Sequence, residues 1–162
     1  MNEPSAVKSI TSPATGTTYR LVIGDDGWRI TKSLVTDSKR TLRHLRGRPG
    51  DAAIDTSVID LLLRNSSDVP PVVGDPHCYF AAIVITDFDR TYHLLVALVK
   101  EAHRRMRDGT HGFRAGSPAL KQDAKQALER AGKMCQAMAA VWKQSGLTVS
   151  DQPEWLVEAL SK

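Results

Sequence analysis

The spacing of apolar residues divides the chain into a strand-like N-terminal region and two long helix-like regions. Residues 17–36 alternate apolar and polar positions on either side of Gly24-Asp25-Asp26-Gly27. Alternation with a period of two predicts β-strands, and Gly and Asp suit a tight turn. We therefore predict a β-hairpin at 17–36. Residues 1–16 are rich in Ser, Thr and Pro, which predicts a flexible N-terminal segment.

The run YFAAIVIT at 79–86 is ambiguous, because a β-branched apolar run also suits a buried strand. However, residues 77–108 contain neither Gly nor Pro, and Asp75-Pro76 is a good helix start. Apolar residues also keep a single helical phase through this segment, with charged residues on the opposite side. We therefore favour one long helix of roughly 45 Å over a strand at 79–86.

A second long apolar stripe begins after Ser117-Pro118 and ends at Gly146, and a short helix is predicted from Pro153 to Leu160. Two further short helices are predicted at 37–46 and 51–65, where apolar residues recur at helical spacing. The predicted fold class is mainly α. A long antiparallel helical pair packs with short helices and an N-terminal β-hairpin, an α+β arrangement, within a single domain at 17–162.

Composition is ordinary for a globular protein of 162 residues, with 41% hydrophobic and 25% charged residues and a net charge of +4. No apolar signal segment opens the chain, and charged residues interrupt its most apolar window at 79–99, so we expect a cytoplasmic protein without membrane contact. Cys78 and Cys135 belong to no metal-binding motif, and we expect two reduced, unpaired thiols. We predict neither a cofactor nor a metal.

Positive charge is concentrated in two short windows. Residues 37–50 hold five basic residues and one acidic residue, net +4, and residues 100–116 hold five and two, net +3. Because arginine forks suit phosphate oxygens, these windows predict contacts with a nucleic-acid backbone. A solvated face or a protein contact is the alternative. The predicted contact residues are Lys39, Arg40, Arg43, Arg46, Arg48, Arg104, Arg105, Arg107 and Arg114.

Arg46-Gly47-Arg48-Pro49 spells the core of the AT-hook, a DNA minor-groove element. Such hooks work in extended, basic, often repeated segments, whereas this one occurs once between two predicted helices. We therefore interpret it as a helix stop and turn whose arginines stay available for phosphate or for an acidic partner.

The sequence favours a non-enzymatic nucleic-acid-binding protein that contacts the phosphate backbone without strong sequence choice. It does not distinguish RNA from DNA. An alternative is a small helical subunit of a larger protein or ribonucleoprotein assembly, analogous to CRISPR-effector subunits or to phage or plasmid structural or regulatory proteins, with self or other proteins as partners. A third hypothesis is a metal-dependent enzyme at Asp87, Asp89 and His93, because Asp89 and His93 share a helix face.

Overall fold

The computed structural model describes residues 6–34, 37–48, 72–108, 118–149 and 151–162. Its strands are β1 (Ala6–Thr11), β2 (Thr17–Gly24), β3 (Gly27–Leu34), β4 (Asp37–Arg48) and β5 (Val72–Val73). Its helices are α1 (Pro76–Asp108), α2 (Pro118–Ser145) and α3 (Glu154–Leu160). The helix predicted at 51–65, residues 1–5 and Arg114 lie outside the described residues.

The five strands form one sheet in the order β1-β2-β3-β4-β5. The first four are antiparallel neighbours, and β5 adds a two-residue parallel pairing to β4. β2 and β3 form the predicted hairpin, with Gly24 opposite Gly27 and Asp25-Asp26 as its two-residue loop. Ala6–Thr11, in the segment for which the sequence predicted flexibility, pairs along β2 as β1.

The predicted fold class is wrong, because the N-terminal part is a sheet rather than a hairpin beside short helices. Residues 37–48, predicted as a helix, form β4 and pair with β3. The reason lies in an irregular register. Lys32 is opposite Arg43 but Ser33 is opposite Thr41, which leaves Leu42 as an extra residue in β4. Such a bulge interrupts the alternation, and the resulting spacing of Leu42 and Leu45 resembles that of a helix.

α1 is a single helix of 33 residues, which confirms the long helix and excludes a strand at 79–86. All seven residues from Tyr79 to Ile85 are buried. A helical segment that is covered on every side needs apolar residues all round, which explains why this run resembles a buried strand. The helix is enclosed here because the sheet and α2 both pack against it.

The core lies between the inner face of the sheet and the helices. Trp28 of β3 stacks on Tyr79 of α1 with ring centroids 5.3 Å apart. Trp155 of α3 stacks on Tyr92, and its indole Nε1 donates to Asp89 at 2.9 Å. The remaining buried side chains that join the layers are Tyr19, Leu21, Ile30, Leu45, Phe80, Phe88, Met138 and Trp142.

The second half of α1 extends beyond the sheet. None of its described residues after Phe88 is fully buried, and Leu94 and Leu98 have exposed fractions of 63% and 64%. In the part of the chain that the structure describes, no helix has the length and apolarity needed to span a membrane.

Candidate nucleic-acid interface

The outer face of the sheet carries a group of exposed arginines. Along β2, β3 and β4, the buried residues Leu21, Ile30 and Leu45 alternate with exposed ones, because successive side chains of a strand point to opposite faces. The exposed positions include four arginines, which we call the arginine face: Arg20, Arg29, Arg46 and Arg48.

The strand register brings these arginines close together. Arg29 of β3 is directly opposite Arg46 of β4. Val22 of β2 is opposite Arg29. Arg20, two residues before Val22, is therefore the diagonal neighbour of Arg29, at a backbone separation of about 7–8 Å. By strand spacing and rise per residue, the face measures roughly 15 Å from Arg20 to Arg48.

These four arginines form no ion pairs with the described residues, among which no carboxylate lies within ion-pair distance of Arg20, Arg29, Arg46 or Arg48. Like charges directly opposite on neighbouring strands destabilise a sheet by a few tenths of a kcal/mol to about 1 kcal/mol. The arginine face is therefore a cost to the fold, and an anionic partner would relieve it.

A groove of about 550 Å³ lies at one end of the arginine face, beside the β2–β3 turn. Its charged lining consists of three basic residues, Arg29, Arg46 and Arg48, and two acidic residues, Asp25 and Asp26. The glycines Gly24, Gly27 and Gly47 also line it.

The backbone around this groove is held firmly. Gly27 has a φ of 139°, and a side chain there would collide with the carbonyl oxygen of Gly47. The carbonyl oxygen of Arg48 accepts from the indole Nε1 of Trp28 and from the backbone N–H of Gly74, both at 3.2 Å. The end of β4 is thus anchored to the core through its backbone, while the Arg48 side chain remains exposed.

Two arginines of the second basic window, Arg104 and Arg105 near the C-terminal end of α1, are paired with carboxylates. Glu101 accepts from Arg104 Nη2 at 2.6 Å and from Arg105 Nε at 3.2 Å, and Arg104 also reaches Asp108 at 3.5 Å. The hydrogen bond from Arg104 lowers the pKa of Glu101 to about 2. Arg107 is exposed, and no carboxylate among the described residues pairs with it.

The two windows do not form one surface. The carbonyl of Arg48 is bonded to Gly74, which lies just before the start of α1. Arg104 follows 28 residues after Pro76 in the same helix, a separation of roughly 40 Å at 1.5 Å per residue. The predicted contact residues therefore divide into a sheet group and a helix group.

For three of the predicted contact residues, the structure describes the backbone position in the sheet and not the side chain. Lys39, Arg40 and Arg43 belong to β4, and Arg43 is opposite Lys32, but their side chains lie outside the described residues. Sequence analysis missed Arg20 and Arg29. The alternation of apolar and polar residues in the hairpin already placed Arg20 and Arg29 on the face away from the apolar residues. However, only the strand conformation of β4 brings Arg46 beside Arg29.

Asp87, Asp89 and His93 do not converge on one site. Asp87 faces the sheet, where its carboxylate accepts from the Tyr19 hydroxyl at 2.8 Å and pairs with Lys32. Asp89 instead accepts from Trp155 and lies 3.5 Å from His93. Among the described residues, no three His, Cys, Asp or Glu side chains are grouped so as to hold a metal ion.

Cys78 and Cys135 are free thiols, as predicted. Burial raises the pKa of both, and for Cys78 a hydrogen bond to Asp75 raises it further. Reactive cysteines have a lowered pKa instead, so neither thiol is activated as a nucleophile.

Comparison of this chain with protein-family models, with curated proteins and with solved structures finds no match.

Proposed function

We propose that this protein is a non-enzymatic nucleic-acid-binding protein that holds the phosphate backbone on the outer face of its sheet. The observation that carries the proposal is the arginine face, whose four exposed guanidinium groups have no ion-pair partner among the described residues. Guanidinium groups bind phosphate oxygens through paired hydrogen bonds. A phosphate backbone would supply negative charge to compensate the four arginines.

The spacing of the arginines supports a backbone ligand. Diagonal neighbours on the face are about 7–8 Å apart, the same order as successive phosphates along an extended strand. An isolated anion would engage one or two of these groups, whereas a strand crossing the sheet would engage all four. Lys39 and Arg40 belong to β4 and remain candidates for the same surface, whereas the register sets Arg43 opposite the inward Lys32.

The helix group has a secondary role in this proposal. Arg104 and Arg105 already share Glu101, so a phosphate would have to compete with existing ion pairs. Arg107 has no ion-pair partner among the described residues and stays a candidate contact. Arg114, which lies outside the described residues, also stays a candidate. We assign the main contact to the arginine face and a weak electrostatic contribution to the end of α1.

Binding of labelled single- and double-stranded RNA and DNA, measured by fluorescence polarisation across a range of salt, tests the proposal. If four arginines contact phosphate, log K should fall against log salt with a slope of roughly −3 for single strands and −4 for duplexes. The variant Arg29→Ala/Arg46→Ala should make this slope shallower by roughly 1.5.

Arg104→Ala/Arg105→Ala is the matched control, because it removes the same charge about 40 Å away. We expect it to change the slope little. Equal effects of the two double variants would mean that only net charge matters. A slope near zero for all four nucleic acids would contradict the proposed function.

A second candidate function is that of a subunit in a larger protein or ribonucleoprotein assembly. It is favoured by exposed leucines on the part of the helices beyond the sheet, Leu94, Leu98 and Leu128. Light scattering of the wild type and of Leu94→Ser/Leu98→Ser tests it for self-association. A monomer at high concentration, unchanged by the substitutions, would count against self-assembly.

A cytoplasmic location and the absence of enzymatic activity belong to the same proposal. The two free thiols support a reducing compartment. The separation of Asp87 from Asp89 and His93 supports the absence of the metal-dependent site that sequence analysis considered at these three residues.

A further inference from the structure

The groove beside the β2–β3 turn combines two opposite charges within one recess. Arg29, Arg46 and Arg48 line it together with Asp25 and Asp26, and within the described residues these groups form no ion pairs with one another. A surface made only for phosphate would not place two carboxylates at the end of its arginine row, because they repel phosphate. A ligand that engages both charges of the groove would present hydrogen-bond donors to the carboxylates as well as acceptors to the arginines.

The volume of the groove, about 550 Å³, suits one nucleotide. Among the bases, guanine presents both required patterns. Its O6 and N7 atoms are adjacent acceptors that an arginine can contact with two hydrogen bonds. Its N1–H and 2-amino groups are adjacent donors that a carboxylate can accept in the same paired way.

We propose that this groove binds an unpaired guanine nucleotide of a single strand, with Asp25 or Asp26 on the N1–H and 2-amino edge and an arginine on O6 and N7. The remaining arginines hold the adjoining phosphates. This inference rests on the proposed function and adds a base preference at one position of the bound strand.

The use of the N1–H edge determines the type of strand. In a duplex this edge is occupied by the pairing cytosine, and the carboxylates would meet no free donor there. The groove therefore favours single strands over duplexes. Asp25 and Asp26 also occupy a two-residue turn anchored by Gly24 and Gly27, so their backbone positions are set before the ligand arrives.

Replacement of guanine by hypoxanthine tests the contact, because hypoxanthine lacks only the 2-amino group. The probes are labelled single strands of about 12 nucleotides that alternate guanine or hypoxanthine with thymine or uracil, in DNA and RNA form. We expect the guanine strands to bind about tenfold more tightly, the discrimination of a good paired base contact. Asp25→Asn/Asp26→Asn should abolish this difference, because the guanine strand loses its carboxylate contact while the loss of negative charge strengthens binding of the hypoxanthine strand.

Asp123→Asn/Asp151→Asn is the control, since it removes the same charge from exposed positions outside the groove. It should keep the preference for guanine. Salt-dependent binding that is equal for guanine and hypoxanthine would overturn this inference and leave the proposed function intact. Persistence of the preference in Asp25→Asn/Asp26→Asn would also overturn it. Absence of binding to every strand would overturn the proposed function as well. Because Asn suits tight turns as Asp does, the variant should fold, which its thermal unfolding would verify.

Discussion

The carboxylate of Asp87 connects the sheet to α1. It accepts from the Tyr19 hydroxyl at 2.8 Å, pairs with Lys32 and lies 3.3 Å from Arg90. Only 13% of its side chain is exposed. Lys32 lies on the inner face of β3 with the buried Ile30 and has only 23% of its side chain exposed, so it depends on this carboxylate for compensation. The residue that resembled a metal ligand in the sequence is thus a structural contact between layers.

Asp87→Ala should lower the free energy of unfolding by about 2–4 kcal/mol, because it leaves Lys32 and the Tyr19 hydroxyl without their acceptor. Asp89→Ala is a matched control in the same helix. It removes a bond to Trp155 at a more exposed position and should cost about 1 kcal/mol. Urea denaturation measures both, and equal losses would contradict the role given to Asp87.

Tyr19 should make the protein sensitive to alkaline pH. Burial and the neighbouring Asp87 carboxylate raise the pKa of Tyr19 well above its usual range. The folded state therefore keeps the proton at a pH where the unfolded state releases it, so stability is complete below about pH 10 and falls as pH rises further. Tyr19→Phe should flatten this decline in denaturation experiments at increasing pH. An unchanged alkaline slope would contradict the assignment.

Among the elements, α1 was predictable and β4 was not. One helical phase favoured a long helix over the strand that 79–86 also suggested, and the structure has one helix of 33 residues there. In β4 the extra residue at Leu42 breaks the period of two, and that break depends on pairing with β3, a partner distant in sequence. Local spacing could not reveal it. The error also concealed the arginine face, because a helix at 37–46 would not have aligned Arg46 with Arg29.

The contact between β3 and β4 at Gly27 should be intolerant of any side chain. Gly27→Ala should lower stability by about 2 kcal/mol or more, because its φ is unfavourable for alanine and its Cβ would strike the Gly47 backbone. In Gly24→Ala the nearest atom would be 4.0 Å away, and we expect a loss of about 0.5 kcal/mol or less. Thermal unfolding compares the two, and similar losses would argue against this close approach.

On the scale of the whole molecule, the Arg48 end of the arginine face lies about 40 Å along α1 from the helix group. The charge count along the sequence carried no information about the distance between the two windows. That distance follows from the straight course of α1 through the structure. A short strand can therefore reach only one of the two surfaces.

Affinity should reach a plateau with strands of roughly three to four nucleotides, since the arginine face spans only about 15 Å, or about two phosphate spacings. A length series in fluorescence polarisation, corrected for the number of overlapping sites, measures this. If affinity keeps rising steeply until strands are long enough to reach Arg104, both surfaces bind one strand together. That outcome would contradict the secondary role given to the helix group.

Alternate positions of the same strands perform separate tasks. Leu21, Ile30 and Leu45 carry the packing, while the arginines between and beside them carry the charge. Substitution of an outward residue therefore leaves the inward contacts in place. Over evolution, or in a library randomised at Arg20, Arg29, Arg46 and Arg48, such a surface can change its ligand while the chain continues to fold in the same way.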